Sequence, residues 1–478
     1  MNYRIITFII GWVLNFEAVF MAPAAVVALI YRERAGISLL ITMALCLLCG
    51  VLLIKGGIKN KAMYAREGFV AVALCWIVLS VFGALPFVIS GSIPSYIDAL
   101  FEVVSGFTTT GSSILAEVEP LPRCLLFWRS FTHWIGGMGV LVFVMAILPL
   151  TGGSSMYLMK AESPGPSVGK LVPKVKSTAM LLYKMYLGLS VLQLIFLLLG
   201  GMPLFDSLTT MFGTAGTGGF GIKNDSIGGY SVYLQGVVTV FMILFGVNFN
   251  IYYLLLKRRF SEASKSAEVR TYFIIILASV ILITINISGM FSSVFDALHH
   301  AAFQVGSIIT TTGFATTDFD VWPSFSKTIL VLLMFVGACA GSTGGGIKVS
   351  RIVILFKSVL KELDFIVHPR NIRKLKMDGR VVEHAVIRSV NVFLISYLFI
   401  FAGSVLLISL DNFDFTTNFT AVAATINNIG PGLAVVGPTQ NFGSFSDFSK
   451  IVLTFDMLVG RLELFPLLIL FSRRTWSK

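Results

Sequence analysis

The chain has 478 residues, of which 56% are hydrophobic and 13% charged, and its mean hydropathy is +0.87. A water-soluble protein cannot expose that much apolar surface, so the composition excludes the soluble classes and predicts an all-α integral membrane protein. The net charge of +12 needs no nucleic acid as a partner, because basic residues are expected in the connections on one side of a membrane.

Ten apolar stretches are long enough to cross a bilayer, which takes about 20 residues each. They are residues 5–30, 37–54, 69–90, 127–150, 179–199, 231–256, 271–291, 328–347, 389–410 and 451–471. The first stretch is long and carries Glu17 at its centre, so we interpret it as a retained helix rather than a cleaved signal peptide. Glu17 is interpreted as a paired structural carboxylate, with proton coupling as the alternative.

The charges predict the orientation. Four connections are rich in Lys and Arg: residues 55–66, 160–176, 257–270 and 348–388. By the positive-inside rule these are cytoplasmic, which places both termini on the cytoplasmic side. The opposite connections are acidic, with residues such as Asp98, Glu102, Glu119 and Asp320. Two interpretations stay open for them: an acidic outer vestibule that concentrates cations, or ordinary solvated loops.

The outer connections contain a unit that occurs four times, and internal repeats of this kind define an architecture. Each has a short amphipathic segment, a glycine-bearing polar turn and then a further span. The four read SYIDALFEVVSGFTTTGSS, PLFDSLTTMFGTAGTGGFG, VFDALHHAAFQVGSIITTTGFA and FDFTTNFTAVAATINNIGPGL. The short segments predict half-length re-entrant helices, with Asp98, Asp206, Asp296 and Asp414 near their starts, where the helix dipole favours acidic residues.

The four turns predict a ring of backbone oxygens. Irregular backbone inside a membrane is tolerated only where protein encloses it or where it lines a watery cavity. Glycine can adopt the dihedrals that aim successive carbonyls inward, and converging carbonyls replace the water shell of a cation. The predicted cation-coordinating residues are Thr109, Thr110, Gly111, Gly216, Thr217, Gly218, Thr311, Thr312, Gly313, Asn428, Ile429 and Gly430, with Gly111, Gly218, Gly313 and Gly430 as the key glycines.

A glycine-rich stretch, GACAGSTGGGIK, interrupts the eighth apolar stretch. Each glycine costs a helix about 1 kcal/mol relative to alanine, so we expect this segment to leave the helix and to loop beneath the four turns. A phosphate-binding loop is excluded, because Ile347 stands where that motif requires lysine. Close helix packing remains an alternative.

Arg461 lies inside the last apolar stretch, where a charge is expensive and faces a cavity or a partner. Two interpretations stay open: a local ion pair with Glu463 or Asp456, or a positive charge that lines a pore below the turns. The residues of interest in these two segments are Gly337, Gly341, Gly344, Gly345, Gly346, Lys348 and Arg461.

The segments FTTTGSS, TAGTGGFG, TTTGFA and NNIGPGL resemble the four filter loops of the Trk/Ktr/HKT superfamily of potassium transport proteins. The resemblance continues in HWIGGMGVLVFVMAILP, AESPGPSVGKL, GACAGSTGGGIK and MLVGRLELFPLL, and it covers essentially the whole chain. It implies a fold of four M1-P-M2 pore units (span, half-length pore helix, span) in pseudo-fourfold symmetry, preceded by an N-terminal transmembrane hairpin. The implied boundaries are 1–66 for the hairpin and 67–176, 177–268, 269–385 and 386–478 for the pore units.

The resemblance also implies function and partners. The expected protein takes up K⁺ across the bacterial inner membrane, binds K⁺ in the filter, has no organic cofactor and contacts membrane lipids. It forms a homodimer with one pore per protomer, and a cytosolic ring of TrkA-type nucleotide-binding proteins regulates it. Members of the superfamily with glycine in all four filter positions favour potassium, so the resemblance implies a preference for potassium here. The threonine run of the first and third turns is missing from the second, which has only Thr217, and from the fourth, a departure that predicts looser selectivity.

The family also implies that the glycine-rich loop and Arg461 form an intramembrane gate. The predicted function is therefore gated, channel-like potassium uptake. The alternative is a secondary symporter that couples K⁺ to H⁺ or Na⁺ by alternating access. An enzyme is not expected, because no serine–histidine–acid arrangement or nucleophile motif stands out in the sequence.

Overall fold

The computed structural model describes residues 1–57, 63–139, 175–370 and 374–476. Within these ranges the regular structure is helical except for one antiparallel hairpin, in which β1 (Lys376–Met377) pairs with β2 (Arg380–Val381). Six described helices are long and apolar enough to cross a membrane, or seven if one bent pair counts as a single span. The predicted all-α membrane fold is therefore confirmed.

The first two helices, α1 (Tyr3–Tyr31) and α2 (Gly36–Ile54), pack against each other along their length. The side chain of Asn2 caps the start of α1 by accepting a hydrogen bond from the amide of Ile5, which satisfies one of the free amides at the helix end. Apolar side chains such as Leu29 and Leu52 are exposed on the outer faces of the pair. Exposed leucines on helices of this length are expected where the surrounding solvent is lipid.

A common succession of elements then occurs four times: a long apolar helix, a short helix, a polar turn and a second helix. The first set comprises α3 (Ala65–Gly83) with its continuation α4 (Leu85–Ile89), α5 (Tyr96–Phe107) and α6 (Arg123–Gly137). The second set comprises α7 (Val175–Leu199), α8 (Leu204–Ala215), α9 (Val232–Phe245) and α10 (Phe249–Leu256), followed by α11 (Phe260–Ser264).

The third and fourth sets follow the same order. The third comprises α12 (Ala267–Ile287), α13 (Val294–Ile309), α14 (Ser324–Val336) and α15 (Val349–Val367). The β hairpin comes next, and the fourth set comprises α16 (His384–Ile408), α17 (Phe415–Ile426), α18 (Asp447–Arg461), α19 (Phe465–Leu468) and α20 (Arg473–Trp476).

In the second, third and fourth sets the second helix is shorter than the sequence predicted. The expected spans 231–256 and 451–471 are wrong as single helices: a bend of 91° separates α9 from α10, and α18 ends at Arg461. The cause at the end of α18 is backbone of positive φ at Glu463 and Leu464, which an α-helix cannot contain. The stretch 328–347 leaves the helix after Val336, as expected, and the stretch 127–150 extends beyond the described residues after 139.

Three of the four short helices begin with polar side-chain caps, whereas α8 begins after Pro203 without one. Ser95 and Ser293 accept hydrogen bonds from the amides of Asp98 and Asp296 through their hydroxyl oxygens. Asp414 is itself the cap of α17 and accepts from the amide of Thr417 at 3.1 Å. Hydrogen bonds from Thr417, first from its hydroxyl, hold the pKa of Asp414 below its usual value. Three of the short helices are therefore fixed at their N-termini by side chains, and the C-terminus of each of the four leads directly into a polar turn.

Candidate functional site

The four turns have the same backbone conformation. Each short helix ends in one capping residue, followed by a left-handed residue, a residue of ordinary φ and a glycine of positive φ. The left-handed residues are Thr109 (55°), Thr217 (55°), Thr311 (59°) and Asn428 (55°). The glycines are Gly111 (84°), Gly219 (75°), Gly313 (84°) and Gly430 (104°). We call residues 108–111, 216–219, 310–313 and 427–430 the first, second, third and fourth turns.

One hydrogen bond recurs in every turn. The amide of the third residue donates to the carbonyl five residues earlier, at the end of the short helix, and the distance is 2.8 Å in all four turns. The pairs are Thr110 to Ser105, Gly218 to Gly213, Thr312 to Ser307 and Ile429 to Ala424. This bond satisfies the amide within its own turn. The four turns are therefore equivalent in backbone structure as well as in amino-acid sequence.

The turns meet in a closed ring. A Cβ atom built on Gly111 would lie 2.1 Å from the carbonyl oxygen of Gly218, and one on Gly219 would lie 1.9 Å from that of Thr312. The series continues from Gly313 to the oxygen of Ile429, at 2.1 Å, and from Gly430 back to the oxygen of Thr110, at 3.0 Å. Each glycine thus faces the carbonyl of the next turn, so four peptide oxygens from four turns lie around a common centre.

The second turn corrects the sequence prediction by one residue. The glycine of positive φ is Gly219, whereas Gly218 occupies the place of Thr110, Thr312 and Ile429. The predicted residues Gly216, Thr217 and Gly218 are therefore all in the turn, but Gly219 was missed. The step Gly219–Phe220 matches Gly313–Phe314 in the third turn, and this shared Gly–Phe pair could have identified the register.

Side chains close the seam between the fourth and first turns. The side-chain amide of Asn428 donates to the hydroxyl oxygen of Thr110 at 2.9 Å, and the hydroxyl of Ser112 donates to the carbonyl of Gly430 at 2.9 Å. Within the first turn the hydroxyls of Thr108 and Thr110 lie 2.8 Å apart. The asparagine that replaces a threonine in the fourth turn therefore contributes a cross-turn bond.

The cavity above the ring is small and has few charges. Its volume is about 110 Å³, and its lining includes the four glycines of positive φ. Arg129 and Lys223 also line it, but no carboxylate does among the residues the structure describes there. Glu102, assigned from the sequence to the acidic outer connections, is fully buried in α5. Asp318 and Glu119 accept hydrogen bonds from Thr439 and Asn224, two residues that line the cavity, so the acidic vestibule stays a prediction.

Residues 337–348, the intramembrane loop, lie directly below the third and fourth turns. The amide of Gly345 donates to the hydroxyl oxygen of Thr311 at 2.6 Å. A Cβ on Gly344 would lie 2.8 Å from the carbonyl oxygen of Thr310, and one on Gly345 would lie 2.5 Å from that of Asn427. Only residues without a side chain allow this close approach. The loop predicted from the glycine density therefore lies against the base of the ring.

The intramembrane loop is also bonded to the second set of helices. The amide of Cys339 donates to the carbonyl of Gly246, in the break between α9 and α10, at 3.0 Å. Beyond this, Glu268 at the start of α12 accepts from the amide of Ala340 at 2.6 Å and from that of Ser350 at 3.2 Å. One buried carboxylate thus holds both ends of the loop. Sequence reasoning missed Glu268. A glutamate next to an apolar stretch could have marked it, because charges near membrane segments usually have a specific partner.

Lys348 ends the intramembrane loop in a strained conformation. Its φ is 84°, a region in which residues other than glycine are uncommon, and its side chain is buried. The Nζ atom donates to the carbonyl of Gly344, within the same loop. Gly337, Gly341 and Gly346 have φ values of 73°, 71° and 76°, so four of the predicted gating residues hold the loop in a shape that side chains disfavour.

Arg461 joins the remaining parts below the ring. Its guanidinium donates to the hydroxyl oxygen of Thr109 at 3.2 Å and to the carbonyls of Thr343 at 2.9 Å and Gly137 at 2.9 Å. It also donates to the carbonyl of Gly136. The first turn, the end of α6 and the intramembrane loop therefore meet at one positive charge.

The two local partners suggested for Arg461 also contact other residues. Glu463 pairs with Arg351, with the nearest nitrogen and oxygen 2.5 Å apart, and Asp456 accepts a hydrogen bond from the hydroxyl of Ser404 at 2.7 Å. The four hydrogen bonds of the guanidinium place its charge beneath the turns, and both interpretations of Arg461, a local ion pair and a charge that lines a pore, stay predictions.

Comparison with known proteins decides the family. The model of the TrkH family, described as a cation transport protein, matches residues 38–478. The chain belongs to the TrkH family. It is 38% identical to the Trk system potassium uptake protein TrkH of Salmonella typhimurium over 486 residues, covering 100% of both chains.

Other relatives agree with this assignment. The Trk system potassium uptake protein TrkG of Escherichia coli is 35% identical, with 99% of each chain covered. The crystal structure of the potassium transporter TrkH from Vibrio parahaemolyticus matches this fold with a TM-score of 0.90 at 35% identity and covers 100% of both chains. As a member of the TrkH family, the protein is a multi-pass membrane transporter and not an enzyme.

Proposed function

We propose that this protein takes up potassium through a gated, channel-like pore whose selectivity filter is the ring of four turns. The observation that carries the proposal is the closed ring itself, in which each glycine of positive φ faces the carbonyl oxygen of the next turn. Carbonyls held in such a ring can replace the hydration shell of a dehydrating cation. The relatives named above are potassium uptake proteins of the Trk system, which supports K⁺ as the ion transported.

Backbone carbonyls suit this role because they bind a cation without a formal charge. Conduction requires binding that is strong enough for the ion to enter and weak enough for it to leave, and neutral dipoles can meet both conditions. The C-terminal ends of four short helices also point at the ring, and their partial negative charge favours a cation there. The transported K⁺ is the only ligand that this function requires, and no organic cofactor is needed.

The gate in this proposal consists of the intramembrane loop and Arg461. The loop contacts the base of the third turn through Gly345 and Thr311, and the guanidinium contacts the base of the first turn through Thr109. A cation that leaves the ring toward the cytoplasm meets both of them. Opening therefore requires the loop to move away from Thr311 and the positive charge to move away from the axis.

The proposal includes the assembly expected of a Trk system. The protein forms a homodimer in the bacterial inner membrane, with both termini cytoplasmic, and a TrkA-type nucleotide-binding ring docks on the basic cytoplasmic connections. The excess of Lys and Arg in residues 257–270 and 348–388 supports both the orientation and the docking side. Movement of the docked TrkA-type proteins would act on the intramembrane loop through α15, which begins at Val349, directly after the loop.

Reconstitution into liposomes tests the proposal. Purified protein in vesicles with an imposed potassium gradient should carry K⁺ in preference to Na⁺, and the current should reverse at the potassium equilibrium potential. Gly111→Ser should weaken that preference, because Gly111 has a φ of 84° and its Cβ would lie 2.1 Å from the oxygen of Gly218. The helix glycine Gly403, which has no atom within 4 Å of its Cβ position, gives the matched control Gly403→Ser.

Two results would contradict the proposal. A reversal potential that shifts with the proton or sodium gradient would indicate a symporter instead of a channel. Equal fluxes of K⁺ and Na⁺ in the wild-type protein would indicate that the ring does not select between them.

A further inference from the structure

We propose that the buried ion pair between Glu102 and Arg129 is a positioning device that fixes the first and second turns and thereby sets ion preference. This inference rests on the proposed function of the ring and assigns a role to two residues outside it. Neither side chain belongs to a turn, and the exposed fractions of the two side chains are 0% and 3%. The Nε of Arg129 lies 2.6 Å from Oε1 of Glu102.

A buried ion pair in a membrane protein requires an explanation. Removing two charges from water is costly, and apolar residues of similar volume often stabilise a fold at least as well. Such a pair is therefore weak evidence for a role in stability alone. The hydrogen bonds that satisfy its remaining atoms show what this pair holds.

The carboxylate of Glu102 holds the segment that leaves the first turn. The hydroxyl of Ser113 donates to Oε1 at 2.9 Å, and the amide of Ile114 donates to Oε2 at 2.9 Å. Both donors come within three residues of Gly111, the glycine of positive φ. The carboxylate thus fixes backbone on the outer side of the ring.

The guanidinium of Arg129 holds the segment that leaves the second turn. It donates to the carbonyl of Gly221 at 2.9 Å, and its Cζ atom lies 3.5 Å from the centre of the Phe220 ring. Phe220 follows Gly219 directly. The ion pair therefore joins the exits of two neighbouring turns, at the seam where Gly111 faces the oxygen of Gly218.

His133 supports the same seam from one helical turn further along α6. Its Nε2 accepts a hydrogen bond from the amide of Phe220 at 3.2 Å, so Nδ1 carries the proton and donates to the carbonyl of Gly106 at 2.8 Å. Arg129 and His133 are four residues apart and lie on one face of α6. Both connect the second turn to α5, the short helix of the first set.

The burial of the ion pair makes this seam different from the others. At the seam between the third and fourth turns, Asp320 accepts from the amide of Ala434 at 3.2 Å, but its ion pair with Lys327 is partly exposed. Glu102 lies seven residues before the left-handed residue of its turn, and the equivalent residues are Thr210, Gln304 and Ala421. The seam between the second and third turns is held instead by neutral bonds, such as that from the amide of Ala315 to the hydroxyl of Ser226 at 3.2 Å. A rigid, charged brace on one side of the ring fixes the distance between the carbonyls of Thr110 and Gly218, on which the preference between K⁺ and the smaller Na⁺ depends.

The experiment compares the wild-type protein with conservative variants that keep the charge of each residue but change the geometry of the ion pair. Arg129→Lys keeps the charge but loses the planar fork that reaches Glu102 and Gly221 together, and Glu102→Asp keeps the carboxylate but shortens its reach. Both are reconstituted in liposomes, and the K⁺ and Na⁺ fluxes are measured separately. The matched control is Arg123→Gln, at the start of the same helix, whose guanidinium lies over Tyr31.

We expect the ratio of K⁺ to Na⁺ flux to fall by about tenfold in Arg129→Lys, which corresponds to about 1.4 kcal/mol, and to fall in Glu102→Asp as well. The double variant Glu102→Gln with Arg129→Gln should keep more flux than Glu102→Gln alone, which leaves a buried charge without its partner. The control Arg123→Gln should keep the wild-type ratio.

The outcomes separate a positioning role from a merely structural one. Unchanged flux ratios in both Arg129→Lys and Glu102→Asp would overturn this inference while leaving the proposed function intact. A proportionate loss of both fluxes, together with lower thermal stability, would also overturn it. A wild-type protein without potassium preference would overturn the proposed function and this inference together.

Discussion

Arg461 and Thr109 are joined by a hydrogen bond of 3.2 Å from the guanidinium to the hydroxyl oxygen. This bond links the end of α18 to the base of the first turn, 352 residues earlier in the chain. The same guanidinium donates to Thr343 of the intramembrane loop at 2.9 Å. The contact places a positive charge beneath the ring, on the side of the intramembrane loop, and connects it to that loop.

Removing this charge should raise conductance. In Arg461→Ala we expect a larger single-channel current in planar bilayers, because the repulsion of a cation leaving the ring is lost and the intramembrane loop loses a bond. A barrier lowered by about 1.4 kcal/mol corresponds to about tenfold more current. Arg388→Ala, which removes an exposed arginine near the start of α16, is the control. A single-channel current equal to that of the wild type would show that Arg461 does not limit conduction.

Gly219 should matter as much as Gly111. In Gly219→Ser the new side chain needs a φ of 75° and would bring its Cβ to 1.9 Å from the carbonyl oxygen of Thr312. The conformational cost alone is about 1–2 kcal/mol, so we expect the carbonyl of Thr312 to move and the preference for K⁺ over Na⁺ to fall by about tenfold. The ratio of the two fluxes in liposomes measures this, with Gly403→Ser as the control. If Gly219→Ser kept the wild-type flux ratio, Gly219 would not be the key glycine of the second turn, and the original assignment of Gly218 would stand.

Glu268 should restrain the intramembrane loop. In Glu268→Ala the amides of Ala340 and Ser350 lose their acceptor, and each buried donor left unsatisfied costs about 1–3 kcal/mol. The loop should then open more often, which raises basal K⁺ flux and speeds amide hydrogen exchange in residues 339–345.

The control for Glu268 is Glu262→Ala, an exposed glutamate of α11 that pairs with Arg259. Both variants should fold, since Glu268 lies at the start of a long apolar helix. Basal flux and exchange that match the wild type in Glu268→Ala would contradict a restraining role for this carboxylate.

Glu17 should tolerate loss of its charge but not its reversal. Its side chain is fully buried in α1, and neither carboxyl oxygen has a hydrogen-bond partner among the described residues. An ionised group in that position would carry a large desolvation cost. Glu17→Gln should therefore retain K⁺ uptake with an unchanged pH dependence, whereas Glu17→Lys should fail to fold, as judged by gel filtration in detergent. Loss of uptake or a shifted pH profile in Glu17→Gln would revive the interpretation of this residue as a proton carrier.

Much of the architecture could be predicted from local sequence. The apolar stretches specified the long helices, since length and hydropathy alone decide whether a helix suits a bilayer. The polar turns were found because the same pattern, a short amphipathic segment followed by polar residues and glycine, occurs four times. A purely apolar membrane helix would not contain it. The glycine density of residues 337–348 predicted the departure from α14, because the cost of glycine in a helix is a local property.

Other features depended on which segments meet in three dimensions. The sequence predicted Gly218 as the key glycine of the second turn, whereas in the structure Gly219 has the positive φ and faces the oxygen of Thr312. Glu102 looked like a residue of a solvated loop until α5 placed it against Arg129, 27 positions away. The breaks of α9 and α18 were missed because apolar composition continues across them, while the backbone leaves the helix.

The sequence by itself determined that this chain spans a membrane, that its unit occurs four times and that its turns carry glycine. Only the tertiary structure decided how the turns face one another, which charges lie behind and beneath them, and where the intramembrane loop rests. The physical reason is that hydropathy and glycine content act through each segment's own backbone and solvent. The ring, the buried ion pair and the contacts of Arg461 exist only between segments as much as 352 residues apart.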